Sequence, residues 1–240
     1  MNDNIFIEQL IAALLPAAVL LMLVVMRDKH REPASQLIKA ILLGVAIVIP
    51  VIATEFAAQF AGTILGLGTD SLMGALYTSF IGAALPEEAF KLLALWLLLR
   101  KNRHFDEHYD GIVYAVCVGL GFATVENIGY VVLDENWASV GIMRAIFSVP
   151  GHYAFAVLMG FYYAQYHFVK RSFLNGVSIL AVPVIAHGIY DSIVMNVGIS
   201  DYLVLPIIVL LIVFCIWMHK KCKKKIMAQL ALDKAGEISA

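Results

Sequence analysis

"LMGALYTSFIGAALPEEAFKLLALWLLL", residues 72–99, decides the fold. A membrane-spanning helix needs about 20 mostly apolar residues, and this run supplies them while holding Glu87, Glu88 and Lys91 in its interior. Ionised side chains at mid-bilayer cost about 2.5–3.5 kcal/mol each on insertion scales, so they normally face protein or a water-filled interior and mark function. On one helix Glu87 and Lys91 stand four apart and Glu88 and Lys91 three apart, so the lysine can reach back to either carboxylate. A pair that only fixes packing explains Lys91 and one glutamate but leaves the second without a task. That second carboxylate is suited to transferring a proton. The run is long, which allows tilt or a break near Pro86, whose ring removes a backbone donor and disfavours a straight helix through Leu85, beside the glutamates.

The rest of the chain reads as the same kind of protein. Its 240 residues are 61% hydrophobic and 15% charged, with a mean hydropathy of +0.84. The expectation is an all-α, polytopic membrane helical bundle forming one integral-membrane domain over 1–240, with a motif-bearing core at about 72–197 and a basic tail at about 219–240. About seven transmembrane helices are expected. They cover approximately residues 5–26, 37–58, 72–99, 110–132, 141–167, 174–197 and 202–218. The first run is read as a retained helix, because acidic rather than basic residues precede it and no small-residue cleavage site follows. "RDKHREPASQ", "RKNRHFDEHYD", "VKRSF" and "HKKCKKK" are basic, whereas the N-terminus, "GLGTD", "LDENWAS" and "GISD" are acidic or neutral. Because positive loops stay cytoplasmic, this alternation predicts the N-terminus outside and the C-terminus inside. The polybasic tail is expected to anchor at an anionic inner leaflet, and the final "IMAQLALDKAGEISA" to be frayed or weakly helical. A net charge of -1 gives no reason to expect a nucleic-acid partner. Cys117, Cys215 and Cys222 suggest neither a disulfide framework nor a thiolate metal site.

Three later spans also carry ionisable groups. In "GLGFATVENIGY", Phe122 and Glu126 share a helix face, with Asn127 and Tyr130 nearby; the plainer reading is a glutamate snorkelling to the outer surface. In "VPGHYAFAVLMGFYY", Pro150 and Gly151 permit a kink before His152, and Gly160 admits a neighbouring backbone. In "AHGIYDSIVMN", His187 and Asp191 lie at i, i+4 with Tyr190 alongside, a spacing that suits two metal ligands or a histidine oriented by a carboxylate. At about 1.5 Å per residue, Glu126 and Asp191 fall roughly 9 Å from the outer ends of their spans, the two histidines roughly 15–17 Å and the paired glutamates roughly 22–24 Å. The expectation is one polar chamber in the outer half of the membrane. Glu55 and Arg144 are taken as interfacial. His30, His104, His108, His167 and His219, near cytoplasmic ends, need no chemistry.

The ordered set EExxK in "PEEAFK", FxxxEN in "FATVEN", HxxxxxxxG in "HYAFAVLMG" and HGxYD in "HGIYD" resembles the PrsW family of intramembrane proteases, relatives of the type II CAAX prenyl endopeptidases and of bacteriocin-processing membrane proteases. The resemblance covers roughly residues 80–195. It implies peptide-bond hydrolysis in or near a bacterial plasma membrane, with Glu87, Glu88, Glu126, His152, His187 and Asp191 catalytic and Lys91, Phe122, Asn127 and Tyr190 supporting. Glu87 or Glu88 would be the general base, and His152 or His187 would stabilise the oxyanion. The related endopeptidases commonly carry histidine and asparagine where this chain has Glu126 and Asp191, which leaves a glutamate protease and a metalloprotease both open. A Zn2+ site would draw its ligands from Glu88, Glu126, His152, His187 and Asp191 and keep one position for water, although HExxH is absent. The implied substrate is an unwound, membrane-embedded protein or peptide, such as a single-pass anti-sigma factor, cut on the extracytoplasmic side. The rival classes are a proton-coupled transporter and a non-catalytic membrane peptide-binding protein.

Overall fold

In hydrocarbon every backbone polar group must be satisfied within its own segment, which restricts apolar runs of this length to helix. The computed structural model describes residues 3–67, 71–196 and 202–239, and no strand occurs among them. The helices are α1 (Asp3–Arg27), α2 (Ala34–Ala46), α3 (Val48–Ile64), α4 (Leu72–Tyr77), α5 (Leu85–Leu99), α6 (Asp110–Leu133), α7 (Trp137–Met143), α8 (Val149–Ala164), α9 (Phe173–Met195) and α10 (Val204–Ser239). Short π-helical turns at Thr78–Ala84 and Arg144–Ser148 join α4 to α5 and α7 to α8, and a third, Gln165–Val169, ends α8. Among the described residues, six helical stretches are long and apolar enough to cross a membrane: Asn4–Arg27, Ala34–Ile64, Asp110–Leu133, Trp137–Val169, Phe173–Met195 and Val204–Gly236. Residues 72–99 are helical throughout but less apolar, because Glu87, Glu88 and Lys91 interrupt them. The acidic loop ends "GLGTD" and "GISD" lie largely outside the described residues.

Helix α6 occupies the centre, packed by α1, α2 and α8. Every residue from Asp110 to Ala123 is buried, as befits a helix that is apolar all round. The α6–α8 crossing rests on paired glycines: a Cβ on Gly160 would lie 2.2 Å from the Gly111 carbonyl oxygen, and one on Gly111 would lie 2.8 Å from that of Gly160. Two backbones in van der Waals contact compensate for the weak hydrophobic drive between helices in lipid.

Two sequence expectations are corrected. The chain does not break at Pro86; it widens into the π-turn just before it, where the Leu85 amide donates to the Phe80 carbonyl. A proline ring clashes with the carbonyl four residues back, and a wide turn displaces that carbonyl without ending the helix. The same device precedes Pro150, where the Val149 amide donates to the Arg144 carbonyl. The C-terminal tail is not frayed either, because α10 continues to Ser239. Leu211, Cys215, Met218, Cys222, Ile226 and Gln229 form a buried stripe at three- and four-residue spacing, continuous across the lysine run. Gln229 Nε2 donates to the Phe161 carbonyl at 3.3 Å, Lys225 Nζ lies 3.7 Å from the centre of the Phe161 ring, and Asp233 accepts the backbone amides of His108 and Tyr109 at 2.7 and 2.9 Å. The tail folds because it has a partner.

Candidate active site

Both π-turns deliver ionisable residues into the same space. Glu87 and Glu88 occupy the first turn of α5, directly after Pro86, and His152 the first turn of α8, two residues after Pro150. His187 and Asp191 come from the second half of α9, and Glu126 from α6. The axial offset expected between glutamates and histidines closes through helix packing and side-chain reach: one ligand atom from each of Glu87, His152 and His187 lies within 4.8 Å of the other two.

Lys91 stands at the centre of the hydrogen bonding. Its ammonium donates to Glu87 Oε2 at 2.9 Å, to Glu88 Oε1 at 2.8 Å and to His152 Nδ1 at 3.2 Å, so it reaches both glutamates rather than one. It also lies 4.4 Å from the centre of the Phe122 ring, which gives Phe122 a cation–π role. An ammonium has only donors, so His152 Nδ1 accepts, and the ring proton sits on Nε2, which lies 2.8 Å from Glu126 Oε2. His187 is held in turn through Nδ1 by Glu88 Oε1 at 3.1 Å and through Nε2 by Asp191 Oδ2 at 3.3 Å. Its ring stacks on Phe155 with centroids 4.5 Å apart.

The two glutamates differ. Glu88 is 0% exposed and its Oε1 serves both Lys91 and His187, so it acts as a brace. Glu87 is 5% exposed; its Oε2 is taken by Lys91, while its Oε1 faces His187 Nε2 across 4.0 Å. That gap is too long for a direct hydrogen bond and of the length a bridging water spans.

A scan against protein-family models matches residues 32–218 to the PrsW family intramembrane metalloprotease. The chain belongs to the PrsW protease family. It is 35% identical to Protease PrsW of Clostridioides difficile (strain 630) over 79% of this chain and 80% of that protein. It is 32% identical to Protease PrsW of Oceanobacillus iheyensis over 89% and 95% of the two chains, and 31% identical to Protease PrsW of Bacillus subtilis (strain 168) over 91% and 97%. No solved structure matches. The protein is thus a PrsW-family protease, embedded in a bacterial membrane by the apolar helices described above.

The family description raises the question of a metal. Buried Glu87, His152 and His187 offer a carboxylate and two imidazoles, the donor set of three-ligand catalytic zinc sites, so the residues fit. The set differs from the one expected from sequence in taking its carboxylate from Glu87 and not from Glu88, whose Oε1 is bonded to His187 Nδ1. Glu88 nevertheless keeps a buried Oε2 without a hydrogen-bond partner among the described residues. Lys91 engages Glu87 Oε2 and His152 Nδ1, so a metal that took either atom would compete with the ammonium.

Arg144 corrects the sequence reading. Its side chain is not simply spread at a membrane surface: it is 12% exposed and its guanidinium sits 3.2 Å from Glu126 Oε2. Arg144 Nε donates to Asn127 Oδ1 at 2.6 Å, Asn127 Nδ2 donates to the Ala13 carbonyl at 2.7 Å, and the Tyr130 ring lies 4.2 Å from the guanidinium carbon. Glu126 is therefore clamped between His152 and Arg144 and does not snorkel away. Two signals for this were available: Glu126 needed a positive partner, and an arginine on the expected outer side runs against the charge bias of the loops. Tyr190 supports from behind, its hydroxyl 3.2 Å from Ser148 Oγ and its ring edge-on to Phe155. Glu55 on α3 is partly buried and within electrostatic reach of Glu87, Glu126, Lys91 and His187.

Proposed function

We propose that the protein hydrolyses peptide bonds of membrane-embedded substrates with Glu87 as general base. The observation that carries this reading is the division of labour between the glutamates: Glu88 Oε1 is shared between Lys91 and His187 as a brace, and Glu87 presents its Oε1 to the gap before His187 Nε2. A water in that gap donates its proton to Glu87 Oε1 as its oxygen attacks the scissile carbonyl. The carbonyl electron pair moves onto oxygen, where His187 Nε2–H, oriented by Glu88 and Asp191, donates a hydrogen bond to the developing oxyanion. Glu87 then returns the proton to the leaving amine as the carbon–nitrogen bond breaks. His152, fixed between Lys91 and the Glu126–Arg144 pair, forms the opposite wall and holds Lys91 in place. Zinc or another divalent metal held by Glu87, His152 and His187 would supply Lewis acidity and lower the pKa of a bound water.

A helical peptide bond is hydrogen-bonded and shielded, so the preferred substrate is a single-pass protein that unwinds near its outer membrane boundary, of the anti-sigma-factor type. This assignment assumes seven spans, with residues 72–99 as the third, the N-terminus outside and the C-terminus in the cytoplasm, supported by the alternation of basic and acidic loops. The test uses purified protein in lipid nanodiscs and a panel of single-pass peptides, with products identified by mass spectrometry. Cleavage that survives a strong chelator but disappears in Glu87→Gln supports the glutamate mechanism and overturns the metal version. Cleavage lost to chelator and restored by zinc does the reverse. Undiminished cleavage by Glu87→Gln removes Glu87 from the mechanism.

A further inference from the structure

At the far end of α6 from Glu126, a second set of carboxylates is buried together. Asp28 follows α1, Glu32 precedes α2, Glu107 lies in the α5–α6 connection and Asp110 opens α6. One oxygen from each of Asp28, Glu107 and Asp110 lies within 4.8 Å of the other two. Asp110 is 1% exposed; its Oδ2 accepts the backbone amides of Asp106 and Glu107 at 3.1 and 2.7 Å, while its Oδ1 is buried without a hydrogen-bond partner among the described residues. Asp28 is 5% exposed and repeats the pattern: Oδ1 accepts the His30 amide at 3.1 Å, and Oδ2 is buried with no hydrogen-bond partner among the described residues. Glu107 meets His30 Nδ1 through Oε1 at 2.6 Å, and Glu32 accepts the Tyr114 hydroxyl.

Unpartnered carboxylate oxygens are among the costliest groups to bury, and here two of them belong to one cluster of oxygens from two chain segments far apart in sequence. We propose that Asp28, Glu107 and Asp110 form a hard divalent-cation site, for Ca2+ or Mg2+, that staples the α1–α2 turn to the start of α6. The donors are all oxygen, which selects calcium or magnesium over zinc. Glu32 adds negative charge beside the site. About 16 residues of helix at about 1.5 Å each separate Asp110 from Glu126, so the ion stabilises the fold rather than joining the chemistry.

The experiment follows thermal unfolding of the full-length, metal-stripped protein in nanodiscs while CaCl2 or MgCl2 is added, with ZnCl2 as comparison. The expected result is a saturable rise of several degrees in Tm with calcium or magnesium, since a ligand that binds only the folded state at a hundred times its Kd shifts the folding equilibrium about 100-fold. The rise should persist in a His152→Ala/His187→Ala protein, which lacks the imidazoles of the candidate active site. It should be lost in Glu107→Gln, a change at a partly exposed position that leaves the Asp110 turn intact, and in Asp28→Asn. Mn2+ binding measured by electron paramagnetic resonance in the same proteins checks the result in the case where Asp28→Asn unfolds. No rise with either cation in the native protein, or an equal rise in Glu107→Gln, overturns the proposal.

Discussion

Glu87 and Glu88 are chemically identical neighbours that the fold makes unlike. Glu88 donates both electron pairs of one oxygen to the brace, whereas Glu87 keeps an oxygen on the gap to His187. Glu87→Gln is expected to lower kcat by about 10²–10⁴-fold with Tm and peptide binding little changed, measured in the nanodisc assay. Glu88→Gln is expected to lower both kcat and Tm, because it loosens Lys91 and His187 together. Arg144 acts through Glu126 and is a positioning residue. Arg144→Met should cost about 10–100-fold in kcat with KM nearly unchanged, and Arg144→Lys should recover part of the loss by restoring a cation to Glu126. A loss confined to KM, or no recovery by lysine, would overturn that role.

At the scale of the helix, two sequence features that look like helix breakers serve as positioning devices. The π-turns before Pro86 and Pro150 keep residues 72–99 and 137–164 continuous while turning the residues that follow toward the chamber. The contact of α6 with α8 has no such slack. Gly160→Leu must push apart two backbones whose glycines already touch, and the expected destabilisation is at least about 1–3 kcal/mol, visible as a fall in Tm with loss of cleavage. A Gly160→Leu protein as stable and active as the native one would show that the crossing is looser than described. Both consequences follow from one geometry, because α6 carries Glu126 and α8 carries His152.

For the whole molecule, α10 is more than a membrane anchor. Its Asp233 caps the start of α6 by accepting the His108 and Tyr109 amides, and His108 Nδ1 lies 2.8 Å from the same carboxylate. Asp233→Ala should cost about 0.5–2 kcal/mol, the usual worth of a lost cap, read as a lower Tm. The proposed orientation makes a separate demand: a reporter that works only in the cytoplasm should be active when fused after Ala240 and inactive when fused before Met1. The opposite pattern would invert the topology and place the chamber on the cytoplasmic side.

Helix, membrane and family were written in the sequence, because hydropathy and residue spacing are local properties that a bilayer reads directly. The ordered pattern of Glu87, Glu88, Lys91, Glu126, His152, His187 and Asp191 also lies on the chain, and with it the class of chemistry. The buried stripe of α10 was legible too, at Leu211, Cys215, Met218, Cys222 and Ile226, but the lysines between them masked it. Only the tertiary structure decided that Glu88 braces His187 Nδ1 while Glu87 stands across a gap from His187 Nε2, that Arg144 belongs to Glu126, and that four carboxylates from distant segments meet at the start of α6. Each of these depends on how helices rotate and cross. Spacing along one helix puts residues on a common face, but the partner of that face is chosen by packing among helices far apart in the chain.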